Sequence, residues 1–140
     1  MKISFLSDGV SIPSIDSIKI KEWIGAVAES YGRNVGEIAY IFCDDAKILE
    51  VNRQFLQHDY YTDIITFDDS LGPTIRGDIF ISLDTVASNA EQQHTAYQEE
   101  LHRVIIHGIL HLCGINDKGP GERAIMEAAE NKALSMLKDL

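Results

Sequence analysis

V-I-I-H-G-I-L-H-L-C-G-I-N-D, residues 104–117, is apolar on nearly every side of a helix except at His107 and His111, one turn apart. A helix so apolar is a buried, central element, and its neighbours have to cover it. At i and i+4 the two Cβ atoms lie about 5–6 Å apart on one face, so both imidazoles can reach a single cation. Gly114 follows three residues after His111 and can take the left-handed conformation that ends a helix. Asp117, three further on, then returns a carboxylate toward the histidines. The pair alone leaves two readings open: a ligand pair, or hydrogen-bonded core histidines. The glycine and the acid at these offsets favour His107, His111 and Asp117 as three metal ligands, an open arrangement that leaves a fourth position for water.

Glu100 and Arg103 extend the same stripe toward the helix start, at i−7 and i−4 from His107. They read either as groups that support the ligands or face a substrate, or as an exposed ion pair on the first turns. Lys118, next to Asp117, either offsets that carboxylate's charge or meets a substrate phosphate.

The 140 residues and 15.6 kDa suit one domain with a core that needs no metal to hold it together. Hydrophobic residues make 45% and charged residues 24%, which excludes a disordered chain. No apolar run is long enough for a membrane span, and the opening M-K-I-S-F-L-S-D-G has no signal-peptide pattern. A cytoplasmic protein with no membrane partner is expected. Cys43 and Cys113 form no C-x-x-C pair and sit in apolar surroundings, so both read as reduced core thiols, with Cys113 close enough to His111 to line a site. The net charge of −10 and pI near 4.8 argue against a protein that coats nucleic acid indiscriminately. A phosphate-bearing substrate would need a local basic patch, for which Arg76, Arg103, Lys118 and Arg123 are the candidates; each reads equally as a solvated surface charge.

Along the chain, residues 2–6 alternate as a half-buried strand. Ile20, Trp23, Ile24, Val27 and Ala28 recur at helical spacing over residues 17–31, with Asp16 as cap and Gly32 as stop. Residues 37–43 read as a strand, and Asp44 caps a helix running to Phe55 with Ile48, Leu49 and Phe55 on its buried side. Strands follow at 63–68 and 76–82. Asp84 is placed to cap a short helix to Gln93, and Thr95 with Gln98 forms a capping box for the central helix. Pro120 falls in the first turn of a last helix whose apolar face is Ala124, Ile125, Ala128, Ala129, Ala133, Met136 and Leu137. The order predicts an α/β (α+β) single domain over residues 1–140: a mixed sheet of about four strands, helices packed against it, and a central metal-binding helix.

Two family patterns bear on the central stretch. The metzincin proteases carry H-E-x-x-H-x-x-G-x-x-H, which this chain fills with His107, His111, Gly114 and Asp117 but with Gly108 where the proteases have their glutamate base. More specifically, H-G-I-L-H-L-C-G-I-N-D resembles the YbeY family signature H-G-x-L-H-L-x-G-Y-D-H at His107, Gly108, Leu110, His111, Leu112 and Gly114; Ile115, Asn116 and Asp117 depart from it. V-N-R-Q-F-L-Q-H-D-Y-Y-T-D-I-I-T-F resembles that family's L-N-x-x-Y-R-x-x-D-x-P-T-D-V-L-S-F at Asn52, Asp59, Thr62, Asp63 and Phe67, while the family arginine falls on Leu56. G-D-I-F-I-S, from Gly77, matches a third family segment.

The resemblance implies a zinc-dependent endoribonuclease that cuts single-stranded RNA during ribosomal RNA maturation, with one Zn²⁺ and with ribosomal RNA precursor and the small ribosomal subunit as partners. His107, His111 and Asp117 would hold the ion; His58, in a polar loop, ranks behind Asp117 as third ligand. The chemistry suits the residues, because the ion would polarise a phosphoryl oxygen and acidify a bound water. Two rivals are a non-catalytic, metal-containing ribosome-assembly module, favoured by the acidic charge and by Leu56, and a metalloprotease, which lacks its glutamate.

Overall fold

The computed structural model describes residues 1–56 and 62–140. His58 and Asp59 therefore lie outside the described residues. The elements run β1 (Lys2–Ser7), α1 (Ser17–Ser30), β2 (Asn34–Cys43), α2 (Asp45–Leu56), β3 (Ile64–Asp68), β4 (Thr74–Ser82), α3 (Leu83–Gln93), α4 (Tyr97–Leu112) and α5 (Glu122–Lys138). This is the expected α+β order. The strands form one four-stranded mixed sheet, β1-β2-β4-β3, in which β1, β2 and β4 are parallel and β3 runs antiparallel to β4.

Alternation along the strands sorts side chains onto two faces. Ile38, Tyr40, Phe42, Ile75, Ile79 and Ile81 face the main core, which α1, α4 and α5 complete. Phe80 and Phe67 face the other way, where α2 packs with Ile48 and Val51 on Ile65 and Cys43. α4 lies at the centre of the main core and buries Leu101, Val104, Ile105, Ile106, Ile109, Leu110 and Leu112. At about 1.5–3 kcal/mol for each large apolar side chain, this burial organises the fold without any ion. Tyr40 donates its hydroxyl to Ile105 O at 2.8 Å, and Trp23 Nε1 donates to Ala133 O at 2.7 Å, so β2 and α1 are each tied to a helix of that core.

Gly108 is the position on α4 that meets the sheet most closely. A Cβ there would stand 2.9 Å from Ile79 Cδ1 and 3.2 Å from Ile64 Cδ1. Any larger residue at this position would press on the tips of Ile79 and Ile64, which would have to move aside.

α1 buries the five residues its periodicity picked out, with Asp16 Oδ1 accepting from Lys19 N. Asp44 caps α2 by accepting from Lys47 N at 2.9 Å. Other expectations need correction. Ser82, not Asp84, caps α3: its hydroxyl accepts from Thr85 N, while Asp84 accepts from Asp45 N. The Thr95 capping box does not form, because α4 begins after Ala96 without a side-chain cap and Gln98 Nε2 donates to Ser14 O instead. Pro120 precedes α5, whose N-cap is Gly121 in the left-handed region. Phe55 is 59% exposed. α5 buries Ala129, Ala133 and Leu137 as expected, with Met136 half-buried against the core, but adds Met126 and Glu130 to that face and leaves Ala124, Ile125 and Ala128 exposed. Among the described residues no helix is long and apolar enough to cross a membrane.

Candidate functional site

The exposed flank of α4 forms the floor of a cavity of about 820 Å³ walled by α5, the start of β3 and the ends of α2 and α3. His107, His111 and Asp117 all line it, as do Glu100, Arg103 and Lys118. The sequence pattern thus placed its candidates on one surface. α4 carries four of them at helical spacing, and Gly114, at φ +99, turns the chain after Cys113 so that Asp117 comes back over His107. Arg123 also belongs to the cavity; Arg76 does not, being paired with Asp69 at 3.1 Å beside a separate hollow on the sheet.

Glu130 is the residue that sequence reasoning missed. It enters the site from α5 and is 9% exposed. Its Oε2 accepts from His107 Nδ1 at 2.7 Å, and its Oε1 takes Arg103 Nη1 at 2.9 Å, while Arg103 Nη2 donates to Asn131 Oδ1 at 2.8 Å. Arg103 is therefore neither an exposed ion pair with Glu100 nor a group free to meet substrate. It anchors the carboxylate that orients His107. A carboxylate at Nδ1 fixes the tautomer that carries hydrogen there and leaves Nε2 facing the cavity. The signal existed in the sequence, as one acid in an otherwise small and apolar inner face of α5, but only after the helix phase is known.

His107 Nε2 stands 3.3 Å from Asp117 Oδ2. That is long for a strong hydrogen bond. With the second imidazole, the donors are two nitrogens and one carboxylate oxygen, a set that suits zinc. Among the described residues no three His, Cys, Asp or Glu side chains stand close enough together to hold a metal ion.

The charges are coupled. Burial pulls the His107 imidazole down, but the hydrogen bond and charge of Glu130, with Asp117 and Asp63, more than offset it and raise its pKa. Burial pushes Glu130 up, and His107 with Arg103 overrides it, holding the carboxyl below its usual range. Across the cavity, burial and then the Asp63 charge raise Glu100, and burial raises Asp63. Leu56, where the family pattern carries an arginine, lines the cavity with an apolar side chain 40% exposed.

The fold and the site define a small α+β protein with histidines and carboxylates set around one polar cavity. The family described as Endoribonuclease YbeY matches residues 8–138. Proteins named Endoribonuclease YbeY are 68% identical in Bacteroides thetaiotaomicron, over 97% of this chain and 99% of that one, and 70% identical in Phocaeicola vulgatus, over 96% and 98%. The Porphyromonas gingivalis protein of that name is 56% identical over 99% of this chain and 91% of its own. The solution structure of TM1509 from Thermotoga maritima shares the fold with a TM-score of 0.65 and 27% identity, covering 96% of this chain and 88% of that one. The chain belongs to the YbeY family.

Proposed function

We propose that this protein is a cytoplasmic endoribonuclease that cuts single-stranded RNA in the maturation of ribosomal RNA, on precursors of the small subunit, with one Zn²⁺ held by His107, His111 and Asp117. The reading is supported by family membership and, in this chain, carried by one observation: His107 is clamped at Nδ1 by Glu130 while its Nε2 faces Asp117 across the cavity. When bound, the ion supplies a Lewis acid for a phosphoryl oxygen and for a water. The chain's own residues do the rest. Glu130 and Arg103 orient the imidazole, and Lys118 and Arg123 on the wall offer cationic contacts to RNA phosphates.

The test joins metal analysis of the purified protein with cleavage of single-stranded RNA. About one zinc per chain, cleavage stopped by a chelator and restored by zinc, and loss of both in His107→Ala are expected. Cleavage that persists in His107→Ala would assign the activity to a contaminant. A non-catalytic assembly module is favoured at one point, the apolar Leu56 in the cavity; metal-replete protein that binds RNA without cutting it would select that reading. The glutamate base of the metzincin pattern has no counterpart at position 108, which faces Ile79.

A further inference from the structure

Glu100 stands apart from the other buried acid on α4 and α5. It is 4% exposed and lines the cavity, and among the described residues no hydrogen bond or ion pair reaches its carboxylate. Among the described residues no fully enclosed side-chain oxygen or nitrogen lacks a partner, so the Glu100 oxygens open onto the cavity. Arg103, three residues on, offsets its charge only in part, since burial and Asp63 outweigh it, and the guanidinium makes its hydrogen bonds to Glu130 and Asn131. Asp63 also lines the cavity, its charge acts on Glu100, and its Oδ2 accepts from Asn89 Nδ2 at 3.4 Å. Burial with a like charge nearby raises the Glu100 carboxyl. A carboxylate buried in this way is costly unless something donates to it, and the open side from which a donor can come is the cavity.

Its place sets what that donor can be. Glu100 lies seven positions before His107, about 10.5 Å along the helix axis, too far for a group acting on the bond broken at His107. That distance suits the neighbouring nucleotide of a strand lying along α4. Single-stranded RNA is read through hydrogen bonds to the edges of splayed bases. Guanine alone among the four bases places two N–H donors, N1–H and N2–H, side by side on its Watson–Crick edge, matching the two oxygens of one carboxylate. Adenine and cytosine set an acceptor beside their amine, and uracil flanks its one N–H with carbonyls; each would turn a lone pair toward the carboxylate.

We propose that Glu100, with Asp63 beside it, reads a guanine next to the cleavage position. The substrate class rests on the endoribonuclease reading, whereas the base preference rests on the unpartnered carboxylate. The experiment measures binding of short single-stranded oligoribonucleotides to the full chain by fluorescence anisotropy in a chelating buffer, and cleavage of the same strands with zinc. The strands differ at one site, which holds guanine, inosine (which lacks the N2 amine) or adenine.

The parent should bind guanine about tenfold more tightly than inosine, the discrimination expected of one lost donor in a paired contact. Glu100→Gln offers one acceptor and one donor, and its preference should shrink to within about twofold. Asp63→Asn, a milder change, should weaken the preference without abolishing it. Equal binding of guanine and inosine by the parent, or an undiminished preference in Glu100→Gln, overturns the inference. Cleavage without base preference overturns it and leaves the nuclease reading standing; guanine-dependent binding without cleavage does the reverse. A preference that needs an added divalent cation would show that the carboxylates hold a metal, and would overturn it as well.

Discussion

His107 is held at Nδ1 by Glu130, and Glu130 is held in turn by Arg103, so the direction of Nε2 depends on a residue 23 positions away in sequence. Glu130→Gln keeps the shape but removes the charge that orients the ring and raises its basicity. Zinc affinity of the full chain, read by competition with a chromophoric chelator, should fall about 10–100-fold. Unchanged affinity would remove Glu130 from this role. Asp117 can be tested the same way: Asp117→Ala should weaken zinc binding strongly, and Asp117→His should retain it, since imidazole suits zinc at least as well as carboxylate. If Asp117→Ala binds zinc as tightly as the parent, the third ligand is elsewhere. Cys43 offers a test away from the cavity. Burial, with Asp44, pushes its thiol up to about 12, and its Sγ lies 3.5 Å from Ile81 O. About one molecule in ten thousand then carries the thiolate at pH 8, so Cys43 should resist a thiol reagent in the native protein and react on unfolding.

The elements show why some of the site was legible and some was not. His107, His111, Gly114 and Asp117 lie on one helix and its exit, where fixed spacing translates directly into shared position. α1 was equally plain, because a tryptophan and branched residues mark its inner stripe. α5 was not, because alanines recur around much of its circumference and constrain its rotation weakly. Reading Ala124, Ile125 and Ala128 as inner residues turned Glu130 away from the site; packing put Met126 inside, and Glu130 came with it. The capping residues misled for a related reason: Gln98 finds Ser14 O, a partner 84 positions distant that no local rule contains. Gly108 allows a test at this scale. Gly108→Ala crowds Ile79 and Ile64 and should cost about 1–3 kcal/mol, seen as a lower melting temperature in chelating buffer. Ile79→Val should recover part of that loss in the double variant, and simple additivity would refute the contact.

For the whole molecule the question is how a chain of net charge −10 engages a polyanion. The fold answers by position. The sheet hollow near Arg76 sets Glu37, Asp68, Asp69 and Asp78 against Lys2 and Arg76, and Arg76 is itself paired with Asp69. Lys118 and Arg123 instead line the cavity, and among the described residues neither is held in an ion pair. Arg103 is there too but already committed to Glu130. Each phosphate contact to single-stranded RNA contributes about 0.7 to the slope of log affinity against log salt, so two contacts predict a slope near −1.4. Lys118→Ala and Arg123→Ala should each weaken binding across all sequences and reduce the slope by about 0.7. Arg76→Ala should leave it unchanged, because its charge is spent on Asp69 outside the cavity. A parent slope several times steeper, or one that falls in Arg76→Ala and not in Lys118→Ala, would place the RNA on another face of the protein.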